Sequence, residues 1–188
     1  MLTRATHIVH TWIRALVSEG DQVVDATCGN GHDTVLLASC CGPTGRVWAL
    51  DIQEDAVEQT RKRLDRDGHL KGVEVHCRSH AEWHQLPGAE GPLRCVVFNL
   101  GYLPGSDKQI TTQAGSTVAA HAQFLPFLAP GGAIFTTVYV GHEGGPEEAA
   151  ALLDWATHLD PGQWSVARHA WINQPDTAPF ILIIQRRN

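Results

Sequence analysis

The ten residues Asp25-Ala26-Thr27-Cys28-Gly29-Asn30-Gly31-His32-Asp33-Thr34 constrain the fold more than any other stretch of the 188-residue chain. Gln22-Val23-Val24 before them reads as a short buried strand that ends on a carboxylate, and Val35, Leu36, Leu37 and Ala38 after them supply an apolar helical face. A strand, a tight glycine turn and a helix in succession build a nucleotide-type ligand site in an α/β sheet. Gly29 and Gly31 let the backbone turn sharply and approach a ligand where a Cβ would clash. The dinucleotide fingerprint G-x-G-x-x-G needs a third glycine for close helix packing, and Thr34 stands in that place. With Asp25 ahead of the turn, a cationic ligand fits better than a pyrophosphate.

Bulk composition narrows the class. With 43% hydrophobic and 18% charged residues, the chain reads as a soluble globular protein, one domain over residues 1–188. No apolar run approaches the roughly 20 residues that span a bilayer. Residues 1–20 form an amphipathic pattern with Arg4, His7, His10 and Arg14 and lack the apolar core of a secretion signal, which predicts a cytoplasmic protein. Cys28, Cys40, Cys41, Cys77 and Cys95 form no C-x-x-C pair, which argues for reduced thiols and against a disulfide framework or zinc ribbon. Histidines are dispersed, without H-E-x-x-H, so no metal site is expected. A net charge of −6 is unsuited to coating nucleic acid. Arg61, Lys62, Arg63 and Arg66 read as a solvated helix face and Arg186-Arg187 as a tail. An RNA substrate therefore fits only through a small, local contact.

Ile8, Trp12, Ile13, Leu16 and Val17 recur at helical spacing and end at Gly20. Gln22–Asp25 is the first strand, and the helix after the glycine turn runs to about Ser39. Arg46–Asp51 is a second strand ending on a carboxylate. Asp51 lies about twenty residues beyond Gly31, the offset at which an acidic residue meets ribose hydroxyls. It could also cap the following helix, Glu54–Asp67. Val73–His76 is the third strand, after which Ser79 and Glu82 have the spacing of a capping box. Cys95–Phe98 is a continuous apolar run typical of a central parallel strand. A loop from Asn99 to Thr112 leads to a helix ending near Leu128, with Pro126 in its last turn. Ala129–Gly132 is a turn and Ala133–Val140 the fifth strand. Pro146 takes the first position of a helix whose buried face is Leu152, Trp155, Ala156 and Leu159. Trp164–Ile172 and Phe180–Gln185 close the chain as two strands. This alternation predicts an α/β fold with a seven-stranded, mostly parallel sheet, helices on both faces and an antiparallel last pair.

The first, second and fourth strands end on the same sheet edge, so Asp25, Asp51 and Asn99 converge on one crevice. The pattern D-x-x-x-G-x-G resembles motif I of class I S-adenosyl-L-methionine-dependent methyltransferases. Asn99-Leu100-Gly101-Tyr102 resembles the (Asp/Asn)-Pro-Pro-Tyr loop of methyltransferases that modify amino nitrogens, with Leu100 and Gly101 in place of the prolines. In that loop an amide oxygen and a backbone carbonyl accept hydrogen bonds from the target N–H groups and aim the lone pair at the methyl. Taken alone, the segment is equally a plain turn with Tyr102 packed beneath it.

Asp25 to Thr34, Asp51-Ile52-Gln53, Ser79-His80, Asn99 to Gly105 and Gly141-His142-Glu143-Gly144-Gly145 together resemble the YtqB-like, MnmM-type methyltransferase family. The resemblance implies a Rossmann-like fold, S-adenosyl-L-methionine as cofactor without a metal, and a homodimer. It implies a tRNA anticodon loop as substrate, with 5-aminomethyl-2-thiouridine at the wobble position converted to its N-methyl form. Carried onto this chain, it sets Asp25, Thr27, Gly29, Asn30, Gly31, Asp33, Thr34, Asp51, Ile52, Gln53, Ser79, His80, Asn99 and Gly101 around the cofactor. Asn99 and Tyr102 would orient the amine; no strong general base stands out among the residues, and the proton goes to His142, to Tyr102 or to solvent before binding. Leu103, Asp107, Lys108, Thr111, Thr112 and His142 would line the acceptor side. Methyl transfer needs an in-line approach at about 3–3.5 Å, so orientation can supply most of the catalysis. A primary alkylamine is mostly protonated at neutral pH, and a nearby sulfonium and partial burial both push it toward the neutral form. Other readings stay open: N-methylation of an rRNA base or a small-molecule amine, a nicotinamide-dependent oxidoreductase, or a non-catalytic cofactor-binding or RNA-chaperone protein.

Overall fold

Side chains along each central strand alternate between two apolar faces, and helices cover both. In the computed structural model, residues 4–69, 71–101 and 114–188 are described. The strands are β1 (Gln22–Asp25), β2 (Arg46–Asp51), β3 (Val73–Cys77), β4 (Leu93–Leu100), β5 (Leu128–Val138), β6 (Trp164–His169) and β7 (Phe180–Arg186). The helices are α1 (Ala5–Leu16), α2 (His32–Cys41), α3 (Glu54–Asp67), α4 (Ala114–Phe124) and α5 (Gly145–Thr157). The sheet order is β3-β2-β1-β4-β5-β7-β6; β1 to β5 run parallel, and β7 is antiparallel to both of its neighbours.

Val23, Val47, Cys95, Val97, Phe135 and Ile181 face α1 and α2, where Val9, Ile13 and Leu37 close over them. Val24, Trp48, Leu50, Val96, Phe98 and Ile134 face the other way, against Trp83, Phe124, Leu152 and Ala156. The period of two in the strands therefore feeds two separate cores. Chain order reverses direction across the sheet between β1 and β4, the place where an open α/β sheet leaves a crevice at the carboxyl ends of its strands.

Among the boundaries that differ from the sequence expectation, four have a clear physical reason. The helix predicted to reach Leu128 ends at Phe124, and Leu125–Phe127 tightens into a 3-10 turn, because Pro126 cannot donate into the helical ladder. The turn predicted at Ala129–Gly132 is an excursion within β5, where Leu93 pairs with Leu128 but Cys95 pairs with Ala133. Gly132 sits against the strand there; a Cβ on it would meet the Leu93 carbonyl oxygen at 2.7 Å. β6 stops at His169, not Ile172, because β7 begins at Phe180 and leaves later residues nothing to pair with. Pro146 is the second residue of α5, since Gly145 opens that helix.

Behind β4, His121 is fully buried, stacked on Phe98 and hydrogen-bonded to the Thr117 carbonyl and the Thr136 hydroxyl at 2.7 and 2.8 Å. Burial pushes its imidazole down to about 4, so it is neutral at working pH. No helix among the described residues is long and apolar enough to cross a membrane. All five cysteines are free thiols.

Candidate active site

The glycine turn is locked from three sides. Past the end of β1, the Ala26 amide donates to the Val97 carbonyl at 2.9 Å and the Cys28 amide to the Leu50 carbonyl at 2.8 Å. Asp51, at the end of β2, accepts the Gly29 amide and the Gln53 amide, each at 3.0 Å, one on each carboxylate oxygen. Asp51 thus ties the two strand ends together, while Gln53 is the residue that precedes α3. From α3, the Thr60 hydroxyl donates to the Gly29 carbonyl at 3.0 Å and Arg63 Nε to the Asn30 carbonyl at 2.5 Å.

Gly31 has φ +77° and caps the N-terminus of α2. A Cβ at this position would lie 2.9 Å from Thr60 Cα, a backbone atom that cannot swing aside. Gly31→Ala combines left-handed strain with that collision and is expected to cost about 2 kcal/mol. That corresponds to a fall in melting temperature of roughly 4–8 °C, read by differential scanning calorimetry.

Asp25 corrects the sequence reading. It is fully buried and lies behind the turn, off the wall of the crevice, where it accepts hydrogen bonds from the Thr34 hydroxyl at 2.6 Å and the Thr27 amide at 3.3 Å. Burial first, and the Asp33 carboxylate second, push its carboxyl up to about 8. Burial thus favours its neutral form, and its place is in shaping the turn. A folded-state value above the unfolded one stabilises the fold below the ordinary carboxylate range, and this contribution is lost as pH rises toward 8. Asp25→Asn keeps a neutral polar group and is expected to melt higher than wild type, with the gap widening from pH 5 to pH 8. The buried His121 is common to both proteins and cancels in that difference.

A cavity of about 690 Å³ opens at the carboxyl ends of β1, β2 and β4, within the size range of small-molecule sites. Its wall includes Thr27, Gly29, Asn30, Asp33, Asp51, Ile52, Gln53, Ser79, His80, Asn99 and Gly101. Gly31 and Thr34, like Asp25, lie outside the wall and hold the turn from behind. The anionic groups facing the cavity are Asp33 and Asp51. Asn99 Nδ2 donates to Asp33 Oδ2 at 2.6 Å, and the Asn99 amide donates to the Thr27 hydroxyl at 2.7 Å. A carboxylate only accepts, so the Asn99 amide group is fixed with its Oδ1 on the side away from Asp33.

Gly101 has φ +146°, and a Cβ there would meet Tyr139 Cβ at 3.5 Å and His142 Nε2 at 3.7 Å. His142 thus stands beside Gly101, not on the cavity wall, and its Nδ1 is 2.9 Å from the Glu143 carbonyl oxygen. Tyr102, Leu103, Asp107, Lys108, Thr111 and Thr112 lie outside the described residues.

The structure adds wall residues that local spacing did not reveal. Arg4, Thr6, His7 and His10 come from α1 and the residue before it, Arg78 follows β3, Ser116 comes from α4, and Tyr139 follows β5. The cluster of Arg4, His7 and His10 was visible as the polar side of an amphipathic helix. Nothing local says that this side overhangs the strand ends. The result is an acidic floor under a rim carrying Arg4, His7 and Arg78.

An adenosine-type cofactor fits this wall on two counts. His80 Nε2 is buried at the cavity with no hydrogen-bond partner among the described residues, and burial lowers the pKa of its imidazole. Ile52 is an apolar side chain left 55% exposed beside Asp51, an apolar surface against which a base can pack. Among the described residues no group of three or more side chains could hold a metal ion.

Comparison with known proteins places the chain among methyltransferases. Residues 47–185 match the family described as "Putative rRNA methylase", and residues 3–83 match the protein-L-isoaspartate(D-aspartate) O-methyltransferase family. A chloroplastic tRNA (mnm(5)s(2)U34)-methyltransferase of Arabidopsis thaliana is 34% identical over 98% of this chain and 70% of its own length. A Clostridium thermocellum crystal structure, described as an rRNA-methylase of putative function, superposes with a TM-score of 0.95 at 35% identity over 99% of both chains. A Streptococcus mutans protein described as a "putative methyltransferase", in complex with SAH, superposes with a TM-score of 0.88 at 31% identity over 99% of both chains.

Proposed function

Given that this chain belongs to the rRNA methylase family and is an S-adenosyl-L-methionine-dependent methyltransferase, we propose that its acceptor is the 5-aminomethyl group of 5-aminomethyl-2-thiouridine at the tRNA wobble position. The observation that carries this reading is the Asp33–Asn99 hydrogen bond at 2.6 Å, which presents an amide oxygen at the end of β4. An amide oxygen so fixed accepts from an amine N–H and turns the nitrogen lone pair toward the cofactor. The basic rim suits a polyanion, and a short contact of this kind is compatible with a net charge of −6. The name of the Arabidopsis relative supports the tRNA wobble base over other acceptors.

The cofactor supplies an electrophilic methyl group on a sulfonium. Around it, Asp51 holds the ribose hydroxyls, Ile52 and Gln53 border the adenosine, and Ser79 and His80 meet the adenine. Thr27, Gly29 and Asn30 bring turn backbone close, with Asp25, Gly31 and Thr34 shaping that turn. Asp33 and Asp51 provide the negative field that a sulfonium requires. Gly101 lies beside the cofactor, Asn99 and Tyr102 orient the acceptor amine, and Leu103, Asp107, Lys108, Thr111, Thr112 and His142 belong to the acceptor side. A homodimer in the cytoplasm completes the proposal.

Mass spectrometry of nucleosides from bulk tRNA, before and after incubation with protein and cofactor, tests it. The expected result is loss of aminomethyl-thiouridine and gain of its N-methyl form. Methyl incorporation into rRNA or a small amine, with tRNA unchanged, would overturn it.

A further inference from the structure

The N-terminal helix brings into the site a titratable group whose position follows from packing alone. His10 lies in the cavity wall, and its Nε2 is 2.5 Å from Asp33 Oδ1. The other Asp33 oxygen accepts from Asn99 Nδ2 at 2.6 Å, so a single carboxylate separates the histidine from the amide. Because a carboxylate only accepts, Nε2 carries the hydrogen, and in the neutral ring Nδ1 is the basic nitrogen. One side chain therefore fixes both a histidine tautomer and an amide orientation.

We propose that His10 takes the proton of the incoming ammonium and that Asp33 is the positioning residue for both His10 and Asn99, an inference that rests on the alkylamine reading above. At pH 7 only about one lysine-like amine in 2,500 is neutral, so an alkylamine methylase gains from a base within its own pocket. The ammonium gives one proton to His10 Nδ1, and the imidazolium formed lies against the Asp33 carboxylate. The freed lone pair then forms the nitrogen–carbon bond as the carbon–sulfur bond breaks, with both electrons of that bond staying on sulfur. The product leaves as a secondary ammonium, and His10 returns its proton to water at the cavity mouth. The charged and titratable groups around the His10–Asp33 pair are Arg4, His7 and Arg14 on or beside the helix of His10, His32 on α2, and Tyr139 after β5, which faces Asp33.

Two measurements decide it. In the protein without cofactor or RNA, nitrogen-15 spectra of the His10 ring should show hydrogen on Nε2, and Asp33→Asn should shift that tautomer balance. Hydrogen on Nδ1, or no response to Asp33→Asn, overturns the proposal, and this reading does not depend on any variant's activity. In turnover, His10→Gln should be about tenfold slow at pH 7, below the usual range for a lost general base because water competes through the open mouth. The deficit should close by roughly pH 9.5, where solvent deprotonates much more of the amine. Cofactor affinity by calorimetry should stay within about twofold of wild type. A deficit independent of pH, or one matched by lost cofactor binding, marks His10 as structural and overturns the proposal. Failure of the acceptor reading looks different, since wild type itself would then leave the tRNA unmethylated.

Discussion

Asn99→Ala lowers methyl transfer by about 10²–10³-fold while leaving cofactor affinity within about twofold of wild type. The magnitude is that of removing one pre-aligned polar group from the reacting centre. Asn99 is held at both ends, with its backbone amide on the Thr27 hydroxyl and its Nδ2 on Asp33, so its Oδ1 carries no reorganisation cost when the amine arrives. Alanine removes the acceptor and also leaves Asp33 short of a donor, but it touches neither the Asp51 carboxylate nor the glycine turn. Asn99→Asp should fail as well, because it sets two carboxylates against each other where a 2.6 Å hydrogen bond stood. Single-turnover methylation of aminomethyl-thiouridine tRNA reads the first number and calorimetry with S-adenosylhomocysteine the second. A comparable loss of cofactor affinity would place Asn99 in the binding machinery.

Asp51→Ala should do the reverse, weakening cofactor binding by roughly 100-fold, with most of the rate recovered at saturating cofactor. Hydrogen bonds to a charged partner contribute about 1.5–3 kcal/mol each, and tenfold in affinity is about 1.4 kcal/mol. Asp51 uses one oxygen on Gly29 and the other on Gln53, yet a carboxylate has further lone-pair directions for ribose hydroxyls. Burial raises its pKa, while the Gln53 and Gly29 amides oppose that shift. Alanine also releases the Gly29 amide and loosens the turn, so part of the loss is disorder in the site itself. Asp51→Asn separates the two effects: it keeps an acceptor for the turn and should lose less affinity than alanine. Calorimetric affinities for all three proteins check the order, and an Asp51→Ala protein that binds as wild type does would remove this residue from the ribose.

All seven strands were legible because their signals are local: apolar runs in β1, β2, β4, β5 and β7, alternation in β3, helical spacing in α1 and α5, and glycine at the turn. The strand-end placement of Asp51 and Asn99 followed from parallel topology, which brings successive strand ends to one edge. β5 was read short because its glycine-rich excursion looks like a turn until β4 is beside it. Asp25 was read as a charge because its residue type suggests one, whereas full burial and Asp33 eight positions away push it toward the neutral form. His10 was visible as one of a polar helix face and could not be read as part of the site, since its partner lies 23 residues on.

The chain by itself determined which residues turn, which bury and which strand ends carry polar groups, because those choices depend on neighbours within a few positions. Only the tertiary structure decided which carboxyl groups are buried and pushed toward the neutral form and which helix overhangs the crevice. It also decided that one aspartate joins a histidine from α1 to an asparagine from β4. Those are matters of desolvation and of distances between segments far apart in sequence, which no local pattern encodes.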